Sequence, residues 1–135
     1  MYNNVLVPIS FDEDRDASGA ISIAKVLAGD KGRITLLHVM EHIPGYAISY
    51  VPAEYLEESR RAILTELESI VDGVPNGTAE LVEGHSGRTI LDYAQSHDVD
   101  CIIIASHRPG MQDLLLGSTA TQVVRHASCA VHVIR

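Results

Sequence analysis

Gly117, Ser118 and Thr119 open a segment with helical spacing (117–127) that follows the apolar run at 101–104 after a loop. A strand, a loop with hydrogen-bond donors and a helix that starts on small residues is an arrangement that holds phosphate. The free N–H groups of the first turn and the positive end of the helix dipole face the anion. A glycine lets the backbone approach closely, and the two hydroxyls add donors. Arg108, in the loop between, is a fixed cation suited to a phosphate oxygen. The Gly-Lys-Ser/Thr pattern of a Walker loop is missing. The loop therefore either holds a nucleotide in another way or only turns the chain around.

Other chemistry is sparse. The seven histidines form no set. His38 and His42 are four apart but leave a strand for a loop, so they share no helix face. His126 and His132 straddle a helix end and a strand. No cysteine or carboxylate completes a ligand group, so no tight structural metal is expected. Cys101 and Cys129 sit beside apolar runs and read as reduced, partly buried thiols. There is no nucleophile elbow and no cysteine with a paired base. No catalytic residue is assigned, and the most the chemistry allows is weak ATP hydrolysis.

The elements that must position these residues alternate along the chain. Strands are expected at 3–10, 33–40, 79–84, 100–106 and 129–135, from short Val- and Ile-rich runs. Helices are expected at 14–30, where Gly29 fits a C-terminal stop, at 53–71 and at 86–98, where Ser86 fits an N-cap. The helix at 117–127 is the last. The stretch 41–52, with Pro44 and Gly45, reads as a loop, and 74–78 as a turn.

Strict alternation means parallel strands joined by right-handed crossovers, and strands apolar on both faces mean a sheet covered on both sides. The expected fold is a single α/β domain over 1–135, a doubly wound five-stranded parallel sheet. Ligands in such a fold lie beyond the carboxyl ends of the strands, where strand order reverses. With order 3-2-1-4-5 that point falls between strands 1 and 4. The expected lining is Pro8, Ile9 and Ser10, then Val39 and Met40, then Ala105, Ser106, His107 and Arg108, with Gly117, Ser118 and Thr119 at the helix start.

Composition sets outer bounds. With 46% hydrophobic residues, 4% aromatics and no Trp, the core is aliphatic. A formal net charge of −8 disfavours nonspecific nucleic-acid binding and docking on anionic lipid. No apolar run reaches the ~20 residues of a membrane helix, and the first ten residues lack a secretory signal pattern. The expected location is the cytoplasm.

The whole chain resembles the universal stress protein family. The likeness rests on the first-strand segment NNVLVPIS, on LLHV in the second strand, and most specifically on LLLGSTATQVVRHASCAVHVIR at the end. It implies an adenine nucleotide alpha hydrolase-like fold. Some members bind ATP through Gly, two residues, Gly, nine residues and Gly-Ser/Thr, and others bind no nucleotide. Counted back from Gly117, the two upstream glycine positions fall on Ile104 and His107. The loop looks like a short-loop branch with a Gly-Ser-Arg-Asn-Pro pattern, here Ala105-Ser106-His107-Arg108-Pro109. ATP-binding members also carry an Asp where this chain has Ser10, with Asp12, Glu13 and Asp14 close behind. The resemblance implies ATP, ADP or AMP, with or without Mg2+, as ligand. Val39 would lie beside adenine, and Arg108, Gly117, Ser118 and Thr119 would hold phosphate. It also implies a homodimer through the 129–135 strand. Two functions stay open. One is a stress-response module in which nucleotide orders the 106–116 and 41–52 loops and so signals to a partner. The other is a protein-interaction or scaffold module that binds no nucleotide.

Overall fold

The computed structural model describes residues 1–11, 17–106 and 117–135, with the backbone alone for Ile48. Its elements in chain order are β1 (Asn4–Pro8), α1 (Ser18–Ala28), β2 (Arg33–Met40), α2 (Gly45–Ile48), α3 (Ala53–Val71), β3 (Gly77–Glu83), α4 (Ser86–Ser96), β4 (Cys101–Ala105), α5 (Ser118–His126) and β5 (Ala130–Ile134). The five strands pair in parallel in the order β3-β2-β1-β4-β5. This is the doubly wound sheet that the alternation predicts.

Two aliphatic layers hold the helices to the sheet. On one face Val5, Val7, Ile34, Leu36, Cys101 and Ile103 meet Ala24 and Ala28 of α1 and Leu67 of α3. On the other, Leu6, Leu37, Ile102 and Ile104 meet Ile90 and Ala94 of α4 and Ala120 and Val123 of α5. The helices that share a face with the chemistry-bearing segment are therefore α4 and α5.

The element ends have local causes. Helix α1 stops at Gly29, as expected, and its positive φ of 66° is a backbone conformation that favours glycine. Asn76 takes up the tight turn with φ 57°, so the chain is already extended at Gly77. Strand β3 thus starts two residues earlier than its composition suggested, paired from Ile34↔Gly77 onward. The stretch 41–52 is not all loop. Pro44, with φ −54°, starts the four-residue helix α2, and Ala47 N–H donates to the Pro44 carbonyl at 2.9 Å. Ser86 is not the cap of α4. His85 holds that position, and Ser86 is the first helical residue.

The sheet is tied at one end of its central pair and open at the other. The Asp100 carboxylate accepts the backbone N–H groups of Asn3 and Asn4, each at 2.9 Å, and Asp100 N–H donates to the Asn4 carbonyl at 3.0 Å. The β1–β4 register covers only Val5↔Cys101 and Leu6↔Ile102. The outer pairs run further, to Pro8↔Leu37 and to Ala105↔Ile134. Proline explains the early stop. Successive residues of a parallel strand turn their backbone groups to alternate neighbours. Asn4 faces β4, so position 8 faces β4 too, and Pro8 has no N–H to offer. The ladder ends there and the two central strands part.

Candidate functional site

The gap left by Pro8 is the mouth of a crevice of about 800 Å³ at the carboxyl ends of the strands. That volume is within the usual range for small-molecule sites. Ten of the twelve anticipated residues line it: Pro8, Ile9, Ser10, Val39, Met40, Ala105, Ser106, Gly117, Ser118 and Thr119. The other two, His107 and Arg108, lie outside the described residues, as do Asp12, Glu13, Asp14 and the rest of the 107–116 loop.

Each side of the crevice has its own chemistry. Its floor is aliphatic, made by Ile9, Leu37, Val39, Ile90 and Ile104. One wall is the start of α5. Gly117 is its N-cap, with φ −63° and ψ 161°, extended backbone that needs no special residue. No side chain at the cap takes up the first N–H groups, and the first turn carries no acid. Ser118 and Thr119 therefore present backbone donors and hydroxyls together at a positive helix end. Both ends of the connecting loop are anchored. Ser106 N–H donates to the Ile134 carbonyl at 2.7 Å, and Gly117 N–H donates to the Ser106 carbonyl.

The opposite wall follows β1. Ile9 N–H donates to the Leu37 carbonyl at 2.7 Å. His38 Nδ1 lies 2.7 Å from the Ile9 carbonyl. A carbonyl only accepts, so Nδ1 carries the hydrogen and the imidazole clamps the chain that bears Ser10. The Phe11 ring packs against His38 at 5.0 Å between centroids.

Sequence reasoning missed His38, Glu41, Ile63 and Ser86, all of which line the crevice. The rule about strand ends could have found two of them. Glu41 directly follows β2 and Ser86 opens the helix after β3, so both sit at the carboxyl ends of strands. Glu41 Oε1 accepts from the Ser86 hydroxyl at 2.8 Å and from its backbone N–H at 3.2 Å. Beside them, Arg60 and Glu83 form an ion pair, and His42 Nδ1 lies 3.9 Å from Glu83. A smaller hollow of about 330 Å³ lies between α4 and α5, lined by Arg88, Asp92, Gln95, Gln122 and Cys129 among others. Among the described residues no helix is long and apolar enough to cross a membrane.

A doubly wound sheet with its crevice at the β1/β4 switch point defines an open α/β class of domain whose ligands lie at that point. Within that class, the model of the universal stress protein family matches residues 1–135, and the chain belongs to that family. It is 30% identical over 142 residues to universal stress protein A homolog 2 of Coxiella burnetii, covering 99% of this chain and 95% of that protein. Among solved structures, the universal stress protein UspA of Lactobacillus plantarum superposes with a TM-score of 0.73 at 26% identity, covering 99% and 98% of the two chains. The universal stress protein of Archaeoglobus fulgidus, in complex with dAMP, superposes with a TM-score of 0.69 at 21% identity, covering 99% and 98%. Two more of the same fold, each 20% identical, hold cAMP and AMP, the latter from Arabidopsis thaliana.

Proposed function

We propose that this chain binds an adenine nucleotide in the crevice between β1 and β4 and acts as a regulatory module through its bound state. The observation that carries the reading is the first turn of α5, without a side-chain cap among the described residues and set across an aliphatic floor from the Pro8–Ser10 segment. Phosphate suits the N–H groups and hydroxyls of Ser118 and Thr119, and Gly117 leaves room for close approach. The base suits the apolar side, against Ile9, Val39 and Ile104. Ser10 can donate and accept but brings no charge. The bound dAMP, cAMP and AMP of the fold relatives support an adenine nucleotide as the ligand class. ATP, ADP and AMP, with or without Mg2+, are the candidates here. The working unit of this proposal is a cytoplasmic homodimer joined through β5, acting on a protein partner.

Calorimetric titration of nucleotide-stripped protein with AMP and with Mg-ATP tests it, with Gly117→Asp as the control. A dissociation constant near the micromolar range is expected, about −8 kcal/mol. The variant places a carboxylate where phosphate would sit. Asp is also a good N-cap, so α5 stays folded and any lost binding reflects the site. No heat from the wild-type protein at two temperatures would overturn the reading.

A second reading, a protein-interaction module that binds no nucleotide, is favoured by Tyr46, Tyr50 and Tyr55. All three are largely exposed within ten residues of chain. The titration decides between the two.

A further inference from the structure

Two helices on the same face of the sheet begin at the crevice, α4 at Ser86 and α5 after Gly117. By backbone physics alone both starts attract anions. They are not equivalent. At α5 the cap position is a glycine and the first turn is free of acids. At α4 the cap residue His85 makes no side-chain bond to the helix, and the first turn again carries no acid. A carboxylate from 45 residues earlier serves instead, since Glu41 Oε1 takes both the Ser86 N–H and the Ser86 hydroxyl. The other oxygen of Glu41 lies 3.6 Å from Nδ1 of the exposed His85. The nearby guanidinium of Arg60 is engaged by Glu83.

We infer that Glu41 is a specificity-determining residue of the crevice: it fills the anion position at the start of α4 and so restricts phosphate to α5. This rests on the nucleotide reading and deepens it. The crevice then has a polarity that the fold alone does not supply. An internal carboxylate closes one positive helix end, and a phosphate group is confined to the other. Glu41 also places a formal negative charge across the crevice from that end, which disfavours ligands whose anionic chain extends toward α4.

The charge and the occupancy can be separated. Glu41→Gln keeps the size and an oxygen that can accept from both Ser86 donors, but removes the charge. Glu41→Ala removes both and uncovers the α4 donors. Binding of AMP, inorganic phosphate and pyrophosphate to the two variants and to wild type is measured by calorimetry at low and high salt. Expected for Glu41→Gln is a gain in pyrophosphate affinity of roughly two- to tenfold, shrinking at high salt, with AMP little changed. Expected for Glu41→Ala is a rise in phosphate stoichiometry from one site to two. A gain of binding is a readout that mere loss of a helix cap would not produce. If wild type binds AMP and neither variant gains anion binding, the inference falls and the nucleotide reading stands. If wild type binds none of the three ligands, the nucleotide reading falls and takes the inference with it.

Discussion

The thiol of Cys101 lies in the core layer shared by Val5, Val7 and Ile103. Burial, with smaller contributions from Cys129 and Asp100, pushes it from 9.0 up to about 11. A raised thiol pKa means the folded state holds its proton after the unfolded chain has released it. Stability from this group is complete below about pH 9 and is lost between there and pH 11. The loss is on the order of 2 kcal/mol, and less where water reaches the group. Urea unfolding at pH 8 to 11 should show this decline, and Cys101→Ala should flatten it. An equal decline in the variant would assign the effect elsewhere, for instance to Cys129 or Tyr93, whose pKa values burial also raises. At this scale the sequence was informative where a residue's role follows from its place at a strand end. Pro8, Ser10, Ala105 and Gly117 needed only the strand order to be placed. Position alone gives neither the clamp made by His38 nor the bond made by Glu41. Their roles rest on side-chain bonds to Ile9, 29 residues away, and to Ser86, 45 residues away. Neither bond leaves a periodic trace in the chain.

Among the elements, α4 and α5 set the width of the crevice wall, and their separation depends on Gly87. A methyl group at that position would fall 2.7 Å from Gln122 Cδ and 3.1 Å from its Cβ. The amide end of Gln122 can swing aside, but its Cβ is fixed to the helix. Gly87→Ala should therefore destabilise the protein by roughly 1–3 kcal/mol, although alanine is the better helix former. Gln122→Gly removes that Cβ, so Gly87→Ala should cost less in that background than in wild type, which chemical denaturation in a double-mutant cycle would read. Simple additivity would sink the account. The strands and long helices were legible because burial on two faces gives continuous apolar runs, and burial on one gives a 3.6-residue stripe. Short features were not. The helix α2 spans only four residues and has no periodicity to detect. Ser86 has the residue type of a cap, yet His85 holds the cap position. The bond to Glu41 shows the same hydroxyl spent on another element.

For the whole molecule, assembly turns on β5, an edge strand with a bonded side and, among the described residues, an open side. The Ile134 carbonyl accepts from Ser106, so even-numbered positions of β5 face β4. By alternation, the N–H and C=O groups of Val131 and Val133 face outward. An unpaired edge of this kind invites a second strand. Across a two-fold axis the partner edge is an identical β5 running antiparallel. The proposed homodimer then depends on these outward N–H and C=O groups. Val133→Pro removes one of them while leaving every bond to β4 in place, and proline is tolerated on the free side of an edge strand. His132→Pro removes an inward donor and breaks the sheet itself. Sedimentation equilibrium should find wild type as a dimer and Val133→Pro as a monomer with an unchanged far-ultraviolet circular dichroism spectrum. His132→Pro should lose its fold. A monomeric wild type, or a Val133→Pro variant that stays dimeric, would show that β5 is not the interface. In the first case Arg135 and His132 would suffice to shield the edge of a chain that works alone.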